Sequence, residues 1–556
     1  METSERSMKT VLQLFTKYKY ILLVVFLSLF AVLDLSNFGI PPTHDGEYHV
    51  LRFQQFYKVL SEGNLYPRWA PDFNNGYGIP LFNYVYPLPN YITSGFHALG
   101  FGFIDSFKLN MAVASILGAI FMYLWTKKYW GELGGVVSSV FYTFSPYHFL
   151  DIYVRGSVGE VWSLGLAPGL FWAYSSFFES KKNIFLILSS VFLALLVYSH
   201  NILALIFFGF FIIYASFLIW ESKERKEDIK FLIIIIFLGL GLSAPFWFPA
   251  LIETKYVTGL QVFDPTKHFP QLYKLIYSSW GYGFSGTDAP DQMSFQIGIA
   301  NLIAFLGSVV VFYKTKKRVL PFFIFAFIIS IFLITPFSSF LWNTISLLSY
   351  VQFPWRFLSV AVLIVSFLVG SLVMDSLFKK RRKLQIVISL FLIVLSITLS
   401  IKYLSAPFYH QRTDQHYLTR SNFTDGTNSP GNSFNTKWLS GIPEKRNKKI
   451  EFLKGEGDIK INEIKSTFYS FSINSKGNSR ILINTAYFPG WTAISNGNKI
   501  NIQNYNGRML IDAPKGFVNV RIYLQSTEVQ KISSLYFLIS ILILGIISLK
   551  IDIIKK

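Results

Sequence analysis

Long apolar segments recur along most of this chain and are separated by short clusters of lysine and arginine. A helix needs about twenty mostly apolar residues to cross the hydrocarbon layer of a bilayer. Hydrophobic residues make up 52% of the chain, and the mean hydropathy is +0.41, which is more apolar than soluble globular domains. The sequence therefore predicts a polytopic α-helical membrane protein.

We predict about twelve membrane spans from these segments. Residues 86–103 are also moderately apolar, but prolines and glycines interrupt them, and we expect this stretch to lie along the membrane interface. The predicted spans are Tyr20–Leu35, Phe107–Trp125, Leu133–Phe149, Val161–Phe178, Ile184–Tyr198, Ile202–Trp220, Phe231–Ile252, Phe295–Phe312, Val319–Ile334, Phe357–Leu377, Leu384–Leu404 and Leu535–Leu549.

The clusters of basic residues indicate how these spans are oriented. Cytoplasmic loops carry an excess of lysine and arginine, so the side with the clusters is predicted to be cytoplasmic. No small-residue cleavage site follows the first span, so we predict an uncleaved first helix in the plasma membrane, with both termini cytoplasmic. The net charge of +20 has the same origin, and we predict no nucleic-acid partner. The clusters lie at the N-terminus, 127–128, 181–182, 223–230, 314–318, 379–383 and 555–556.

Residues 405–530 differ from the rest because they are polar and contain short runs of alternating apolar and polar residues. Such alternation, for example at 517–524, predicts half-buried β-strands, and Asn496-Gly497 predicts a hairpin turn. We therefore predict an extracytoplasmic all-β, sandwich-like domain at 405–530, with its first part, 405–447, mainly loop. It would follow a transmembrane domain at 1–404 and precede a final span with a basic cytoplasmic tail at 531–556.

An outer loop, 37–106, carries the first candidate site, directly after the first span. It holds His44, Asp45, Glu47 and His49, and ionisable side chains at a membrane boundary are costly to desolvate. Asp45 is a candidate general base, because burial raises the pKa of a carboxyl group. The alternatives are that Asp45 caps a following helix, or that the loop is ordinary polar chain.

A metal site is a further possibility in this loop. Asp45 and His49 could bind a divalent cation, with Mg²⁺ or Mn²⁺ suiting carboxylate ligands, although the spacing matches no established metal motif. The chain has no cysteine, which excludes disulfides, thiol catalysis and thiolate metal sites.

A second candidate site follows the third predicted span. Asp151 and Arg155 are four residues apart, which places them on one face of a helix. Arg155 could bind a phosphate, and Glu160 could supply a second carboxylate. The alternative is a structural Asp–Arg pair.

Four further polar residues are candidates for substrate binding. Arg356, between two aromatic residues, could bind a lipid phosphate, or its charge could simply reach the membrane interface. His200 lies at a hinge between spans, where an interhelical hydrogen bond is the plainer explanation. Arg52 and Arg68 are secondary candidates in the first outer loop. A second outer loop, 253–293, has the glycines and aromatics of a lid over a cleft.

Several of these stretches resemble a known family. The acidic motif of the first outer loop is similar to that of the GT-C superfamily of membrane glycosyltransferases. Within it, the chain resembles the bacterial membrane proteins labelled pyruvoyl-tetrahydropterin-synthase-related, which have relatives with an extracytoplasmic β domain. The stretches are HDGEYH at 44–49, YPRW at 66–69, YVRGSVGE at 153–160, SHN at 199–201, QFPWRF at 352–357 and YFPGW at 487–491.

The resemblance implies an activity and roles for particular residues. Asp45 takes the place of the catalytic acidic residue, Asp151 and Glu160 lie where a second-loop carboxylate is expected, and Arg155 and Arg356 match positions that face a phosphate. Gly46 stands where a second acidic residue is usual, so a metal-free, inverting reaction is implied.

We therefore predict a glycosyltransferase that moves a sugar from a polyprenyl-phosphate donor to an extracytoplasmic glycan or glycolipid acceptor, in contact with membrane lipids. Asp45, Asp151 and Glu160 are the predicted catalytic residues. The predicted substrate-binding residues are His44, Glu47, Arg52, Arg68, Arg155, His200 and Arg356. One alternative is a lipid or glycan transporter or flippase, although ionisable residues gather at one face and not at mid-membrane. The other is a non-catalytic, membrane-anchored glycan-binding protein.

Overall fold

The computed structural model describes residues 18–259, 263–287, 289–379, 381–419, 434–441 and 443–549. Helices dominate up to about residue 403, two antiparallel sheets follow, and a last apolar helix closes the described chain. The predicted basic segments at the N-terminus and at 555–556 lie outside the described residues.

The helical part contains long helices joined by short turns and by two extended outer segments. The α-helices of the described ranges are α1 Tyr18–Ala31, α2 Gly46–Ser61, α3 Leu88–Ala98, α4 Phe103–Thr143, α5 Pro146–Phe149, α6 Val158–Ser180, α7 Asn183–Ser199, α8 Asn201–Glu221, α9 Arg225–Ile252, α10 Leu272–Ile276, α11 Ile299–Thr315, α12 Val319–Ile334, α13 Ser339–Thr344, α14 Ser346–Ser349, α15 Leu358–Val369, α16 Arg382–Ser400, α17 Asp414–Thr419 and α18 Glu528–Leu549.

Among the described residues, six helices are long and apolar enough to cross a membrane, and a seventh span arises if α12 and the bent segment Pro336–Thr344 count as one. The structure supports this helical membrane architecture but does not confirm the predicted number of about twelve spans. The predicted span Phe107–Trp125 and the first part of Leu133–Phe149 lie in the single 41-residue helix α4, which breaks at Gly131. Three other apolar helices, α1, α7 and α11, have fewer than 18 residues each.

Helix α15 forms the centre of the helical part. All of its residues from Leu358 to Val369 are buried, as expected for a helix that is apolar on every side. Helices α4 and α6 approach each other closely beside it, where a Cβ on Gly118 would lie 3.1 Å from the Cα of Gly165. The N-terminal ends of α6 and α15 carry the candidate site.

The predicted β-sheet region is present. Its strands form one sheet in the order β1-β4-β8-β7 and another in the order β2-β3-β9-β5-β6, and all the pairs are antiparallel. Asn496 and Gly497 both have positive φ in the turn between β5 and β6, as a tight hairpin requires. The strands are β1 Ile450–Lys454, β2 Gly457–Lys465, β3 Phe468–Ser475, β4 Ser479–Ala486, β5 Trp491–Ser495, β6 Asn498–Ile500, β7 Gln503–Tyr505, β8 Arg508–Ala513 and β9 Gly516–Leu524.

The core of the two sheets extends into the first outer loop. Trp69 and Tyr77 from that loop belong to the same buried cluster as the inward side chains of β3, β4, β8 and β9. The Trp69 ring meets the Trp491 ring edge-on at 5.5 Å, and the Ala486 amide donates to the Tyr77 carbonyl at 2.9 Å. The sheets are therefore docked on the outer loop of the helical part.

Residues 405–419, here called the strap, lie against the helical part, well before the first strand. The Tyr409 hydroxyl donates to the Asp34 carboxylate at 2.8 Å, and Ile40 pairs with His410. The Asp414 carboxylate accepts from the first amides of α4, at 2.7 Å from Phe103. The strap thus fixes the end of α1 and the start of α4 on either side of the HDGEYH motif.

Candidate active site at the N-terminal ends of α2, α6 and α15

The turn that carries Asp45 is joined by main-chain hydrogen bonds to the turn that carries Arg155. The His44 amide donates to the Val154 carbonyl at 3.0 Å, and the Asp45 amide donates to the Arg155 carbonyl at 2.9 Å. Glycines permit this approach, because a Cβ on Gly156, whose φ is +63°, would lie 3.0 Å from the Gly46 nitrogen. The two sequence motifs therefore meet through their backbones.

Asp45 stands immediately before α2 but does not cap it. Its side chain makes no capping hydrogen bond, so the capping explanation does not account for this residue. Within the described ranges its half-buried carboxylate has no hydrogen-bond or ion-pair partner. Its charge acts on Arg52 and on Tyr86. The carboxylate thus lies beside other polar groups, but within the described ranges it forms no hydrogen bond or ion pair with them.

A π-helical turn, Leu150–Arg155, builds the second part of the site. Arg155 Nη1 donates to Asp151 Oδ1 at 2.5 Å, which confirms the contact expected from their spacing. Arg155 also binds Glu160 through two parallel hydrogen bonds, of 2.5 Å and 2.7 Å. A two-pronged pair of this kind fixes both side chains. Short π-helical segments are frequent at functional sites.

Arg356 reaches the same carboxylate from the start of α15. Its Nε donates to Glu160 Oε1 at 3.2 Å, and its Nη1 donates to Gln352 Oε1 at 2.7 Å. The guanidinium groups of Arg155 and Arg356 lie 4.7 Å and 5.6 Å from the centre of the Trp355 ring. The QFPWRF motif therefore supplies one charge, one aromatic surface and one amide to the site.

The charged side chains of this cluster are buried, so each one strongly affects the charge state of its neighbours. Asp151 and Glu160 have no exposed surface, and Arg155 and Arg356 are each 6% exposed. Asp151 Oδ2 is buried without a hydrogen-bond partner among the described residues. Burial and the nearby Glu160 carboxylate hold the pKa of Asp151 above its ordinary value. Two guanidinium groups thus converge on the Glu160 carboxylate, and Asp151 is a second buried carboxyl group beside Arg155.

His200 closes the cluster from the start of α8. Its Nδ1 accepts from the Leu203 amide at 3.2 Å, and its Nε2 lies 3.8 Å from Glu160 Oε1. Burial lowers the pKa of His200 to about 3, so the ring is neutral. Since Nδ1 accepts, the proton of the neutral ring is on Nε2, facing Glu160. His200 is both a helix cap and a member of the cluster.

Tyr86 connects the Asp45 turn with the Glu160 cluster. A Cβ on Gly159 would collide with its ring, the ring centre lies 5.0 Å from that of His200, and the charges of Asp45 and Glu160 both act on it. Tyr86 was not among the predicted site residues, because it lies in the aromatic stretch that was predicted to follow the membrane interface. Trp355 and Gln352 were also not selected, although they belong to a motif that was noted.

Other predicted residues lie apart from the cluster. His44 Nε2 contacts the Tyr282 carbonyl at 2.8 Å, which connects the first outer loop to the predicted lid. Glu47 forms an ion pair with Arg412 of the strap. Arg68 donates to Asn83 Oδ1 at 2.7 Å in a separate cavity. Arg52 is half-buried and lies close enough to Asp45 for the charges of the two side chains to interact.

The described residues do not fit the predicted metal site. No group of three or more His, Cys, Asp or Glu side chains in those ranges is arranged to hold an ion. His49 packs between the rings of Phe53 and Phe107, and burial together with the Arg52 charge lowers its pKa. Its role in the structure is that of a neutral core residue beside the site.

Comparison with known proteins gives relatives of limited similarity. A Lactococcus lactis protein of uncharacterised function is 22% identical over 254 residues, which are 44% of this chain and 41% of that protein. The Archaeoglobus fulgidus oligosaccharyltransferase has a TM-score of 0.46 at 13% identity, over 70% of this chain and 56% of that one. Arabinofuranosyltransferase AftD from Mycobacteria has a TM-score of 0.44 at 13% identity, over 70% and 27%. The matches thus span about half or less of each of these proteins.

A family match covers a larger and more informative part of the chain. The 6-pyruvoyl-tetrahydropterin synthase related domain, described as a membrane protein, matches residues 82–404, which is more than half of the sequence. This range contains Arg155, Glu160, His200 and Arg356, and it ends before the strap. The chain therefore belongs to the 6-pyruvoyl-tetrahydropterin synthase related family of membrane proteins.

Proposed function

We propose that the protein is a membrane glycosyltransferase that moves a sugar from a polyprenyl-phosphate donor to an extracytoplasmic cell-envelope acceptor. One observation carries this proposal. The Asp45 carboxylate has no partner in the described chain, and its amide is bound to the residue that supplies one of two clustered guanidinium groups. A free base beside a cationic cluster suits removal of a proton from an alcohol and departure of a phosphate.

Asp45 would act as the general base. Its carboxylate would accept the proton of an acceptor hydroxyl, and the oxygen of that hydroxyl would form a bond to the anomeric carbon of the donor sugar. The bond between that carbon and the phosphate oxygen would break, with its electron pair leaving on the phosphate. Attack from the face opposite the leaving group inverts the anomeric configuration.

Arg356 would stabilise the departing phosphate. Its Nε and Nη1 are engaged by Glu160, Val351 and Gln352, whereas its Nη2 makes none of the hydrogen bonds found in the described part of the chain. That nitrogen keeps donors for a phosphate oxygen. Because the guanidinium is already held in place, little reorganisation is needed when negative charge develops.

Glu160 and Asp151 would be positioning residues in this mechanism. Each oxygen of Glu160 already accepts a hydrogen bond from Arg155, so its carboxylate holds the cations and does not take up a substrate proton. Asp151 acts in the same way on Arg155 from the π-helical turn. The earlier assignment of both as catalytic residues is replaced by this role in the proposal.

The proposal includes a topology. The Asp45 turn, the Glu160 cluster and the β domain would lie on the outer face of the plasma membrane, and both termini would be cytoplasmic. The donor lipid would lie in an apolar groove between spans, and the loop from Glu253 to Met293 would act as a lid through its contact with His44.

The test compares Asp45→Asn with a matched change in cells that lack the native protein. Mass spectrometry of cell-envelope glycans should show one sugar residue missing in those cells, restored by the wild-type chain and absent with Asp45→Asn. A lost general base lowers the rate by about 10²–10⁴-fold, so the modified glycan should fall to background.

The control is Asp105→Asn, which removes an exposed carboxylate at the start of α4 and should restore the glycan fully. Expression and thermal unfolding of the purified variants should match the wild-type protein. Full restoration by Asp45→Asn would disprove the proposal, and lipid movement in liposomes without glycosyl transfer would favour a flippase.

A further inference from the structure

A polar cavity lies where the β-sheet region meets the helices. It has a volume of about 290 Å³, near the lower end for ligand sites. Its wall includes Arg68 from the first outer loop, Phe488 of the YFPGW motif, and residues of α7, α9 and α18. The cavity is therefore built by three parts of the chain that are remote in sequence.

Arg68 supplies the charge of this cavity. Its Nη1 donates to Asn83 Oδ1 at 2.7 Å and its Nη2 donates to the Pro245 carbonyl at 3.1 Å. The Tyr66 ring lies 4.4 Å from the guanidinium. In the described part of the chain no carboxylate lies within ion-pair distance of Arg68. A half-buried guanidinium without a direct carboxylate is costly unless a ligand supplies negative charge.

Asn83 separates Arg68 from the nearest acidic group. The Asn83 amide donates to Glu253 Oε2 at 2.7 Å, and Gln530 donates to the same oxygen at 3.1 Å. Glu253 also accepts from the Thr527 hydroxyl, so both of its oxygens are engaged by neighbouring side chains. This network fixes the amides and leaves the Arg68 cation facing the space.

The cavity changes from polar to apolar along α18. Gln530, Ser534 and Phe537 line it at intervals of four and three residues, on one face of that helix. Only 11% of the apolar stretch of α18 is buried within the protein, so most of this stretch is free to contact a lipid. Tyr198 and Pro245 continue the wall on α7 and α9. A ligand here meets a cation at one end and membrane-facing helices at the other.

We infer that this cavity binds the phosphate group of a membrane lipid, with Arg68 contacting the phosphate and the apolar chains lying beside α18. The guanidinium fork matches phosphate oxygens, and the amides of Gln530 and Asn83 border the same space. This site is distinct from the Glu160 cluster, and the inference does not depend on the proposed glycosyl transfer. The lipid would join the β-sheet region to the membrane helices.

The test uses purified full-length protein in an uncharged detergent, with native mass spectrometry and thermal unfolding as measurements. The probes are phosphatidylglycerol, a galactosyl diacylglycerol without phosphate, and inorganic phosphate. Phosphatidylglycerol should remain bound and raise the unfolding temperature, while the other two should do neither at the same concentration. Charge-assisted hydrogen bonds contribute about 1.5–3 kcal/mol, so Arg68→Gln should weaken phosphatidylglycerol binding at least about tenfold.

The matched control is Arg508→Gln, because Arg508 also donates to an asparagine oxygen and lies over a tyrosine ring, but in the β-sheet region. It should bind the lipid as the wild-type protein does. If Arg68→Gln does not fold, Ser534→Phe serves in its place by filling the cavity. Equal binding of the galactolipid, equal binding of inorganic phosphate, or unchanged lipid binding by the cavity variants would overturn the inference.

Discussion

Glu160 is the residue on which the candidate site depends most. It has no exposed surface, and it accepts hydrogen bonds from Arg155 and Arg356 while His200 faces it. An ion pair of this kind gains little over an apolar replacement, but removing one partner leaves buried charges uncompensated. The carboxylate is therefore needed to keep two cations close together.

Replacing Glu160 with Gln should destabilise the protein by about 3–5 kcal/mol, because Arg155 and Arg356 would remain buried without their counter-charge. Thermal unfolding in detergent, followed by tryptophan fluorescence, measures the change. Glu179→Gln is the control, since Glu179 is exposed in its ion pair with Lys128 and surface pairs contribute about 0–1 kcal/mol. Similar unfolding temperatures for the two variants would refute this account of Glu160.

The sequence predicted several residues of this cluster, but it did not predict which residues distant in the chain contact each other. The four-residue spacing of Asp151 and Arg155 was sufficient to predict their contact. Arg356 joins Glu160 from 196 residues away, and no local pattern carries that information. Tyr86 was missed because an aromatic residue in an apolar stretch has the same appearance at an interface and beside a carboxylate.

At the scale of elements, the first outer loop joins the β-sheet region to the helices. The Ser466 amide donates to Glu62 at 2.8 Å, and Lys449 Nζ donates to the Gly76 carbonyl at 2.5 Å. Period-two alternation at 517–524 predicted β9, in which Val518, Val520 and Ile522 are buried and the residues between them are exposed. It could not predict the docking, since Trp69 and Tyr77 lie in a loop without any regular pattern.

Lys449 should make this docking sensitive to pH. Burial lowers the pKa of Lys449 to about 7, with Asp72 opposing the shift and Lys58 adding to it. In the unfolded chain its pKa is about 10.4, so between these values the unfolded state binds more protons and stability rises with pH. The unfolding temperature of the wild-type protein should therefore increase from pH 7 toward pH 10 relative to Lys449→Met.

The adjacent Lys448 provides the control, because it is exposed. The difference between wild type and Lys448→Met should be constant over this pH range. A constant difference for Lys449→Met as well would show that Lys449 is charged in the folded protein.

At the scale of the whole molecule, the main feature is the orientation of the chain in the membrane. The basic clusters predict one side as cytoplasmic, whereas the number of spans did not follow from apolar length alone. Helix α4 is bent at Gly131, where a side chain would collide with the Asp375 carboxylate. The length of an apolar run shows that a helix can enter a membrane. For kinked and short helices, the tertiary contacts determine whether the helix crosses it completely.

The absence of cysteine from the sequence allows a direct measurement of orientation. Asn498→Cys, in the exposed strand β6, should react with a membrane-impermeant maleimide in intact cells. Lys314→Cys, exposed near the end of α11, should react only after the membrane is permeabilised. Labelling of Lys314→Cys in intact cells would reverse the proposed orientation.

The main-chain hydrogen bonds between residues 44–45 and 154–155 have an evolutionary consequence. Their geometry does not depend on the side chains at 44 and 45, whereas Gly46 and Gly156 have almost no steric freedom. The side chains at positions 44 and 45 can therefore change during evolution while the main-chain hydrogen bonds that position them are kept. A backbone of this kind allows related proteins to differ in their reactive groups without a change of fold.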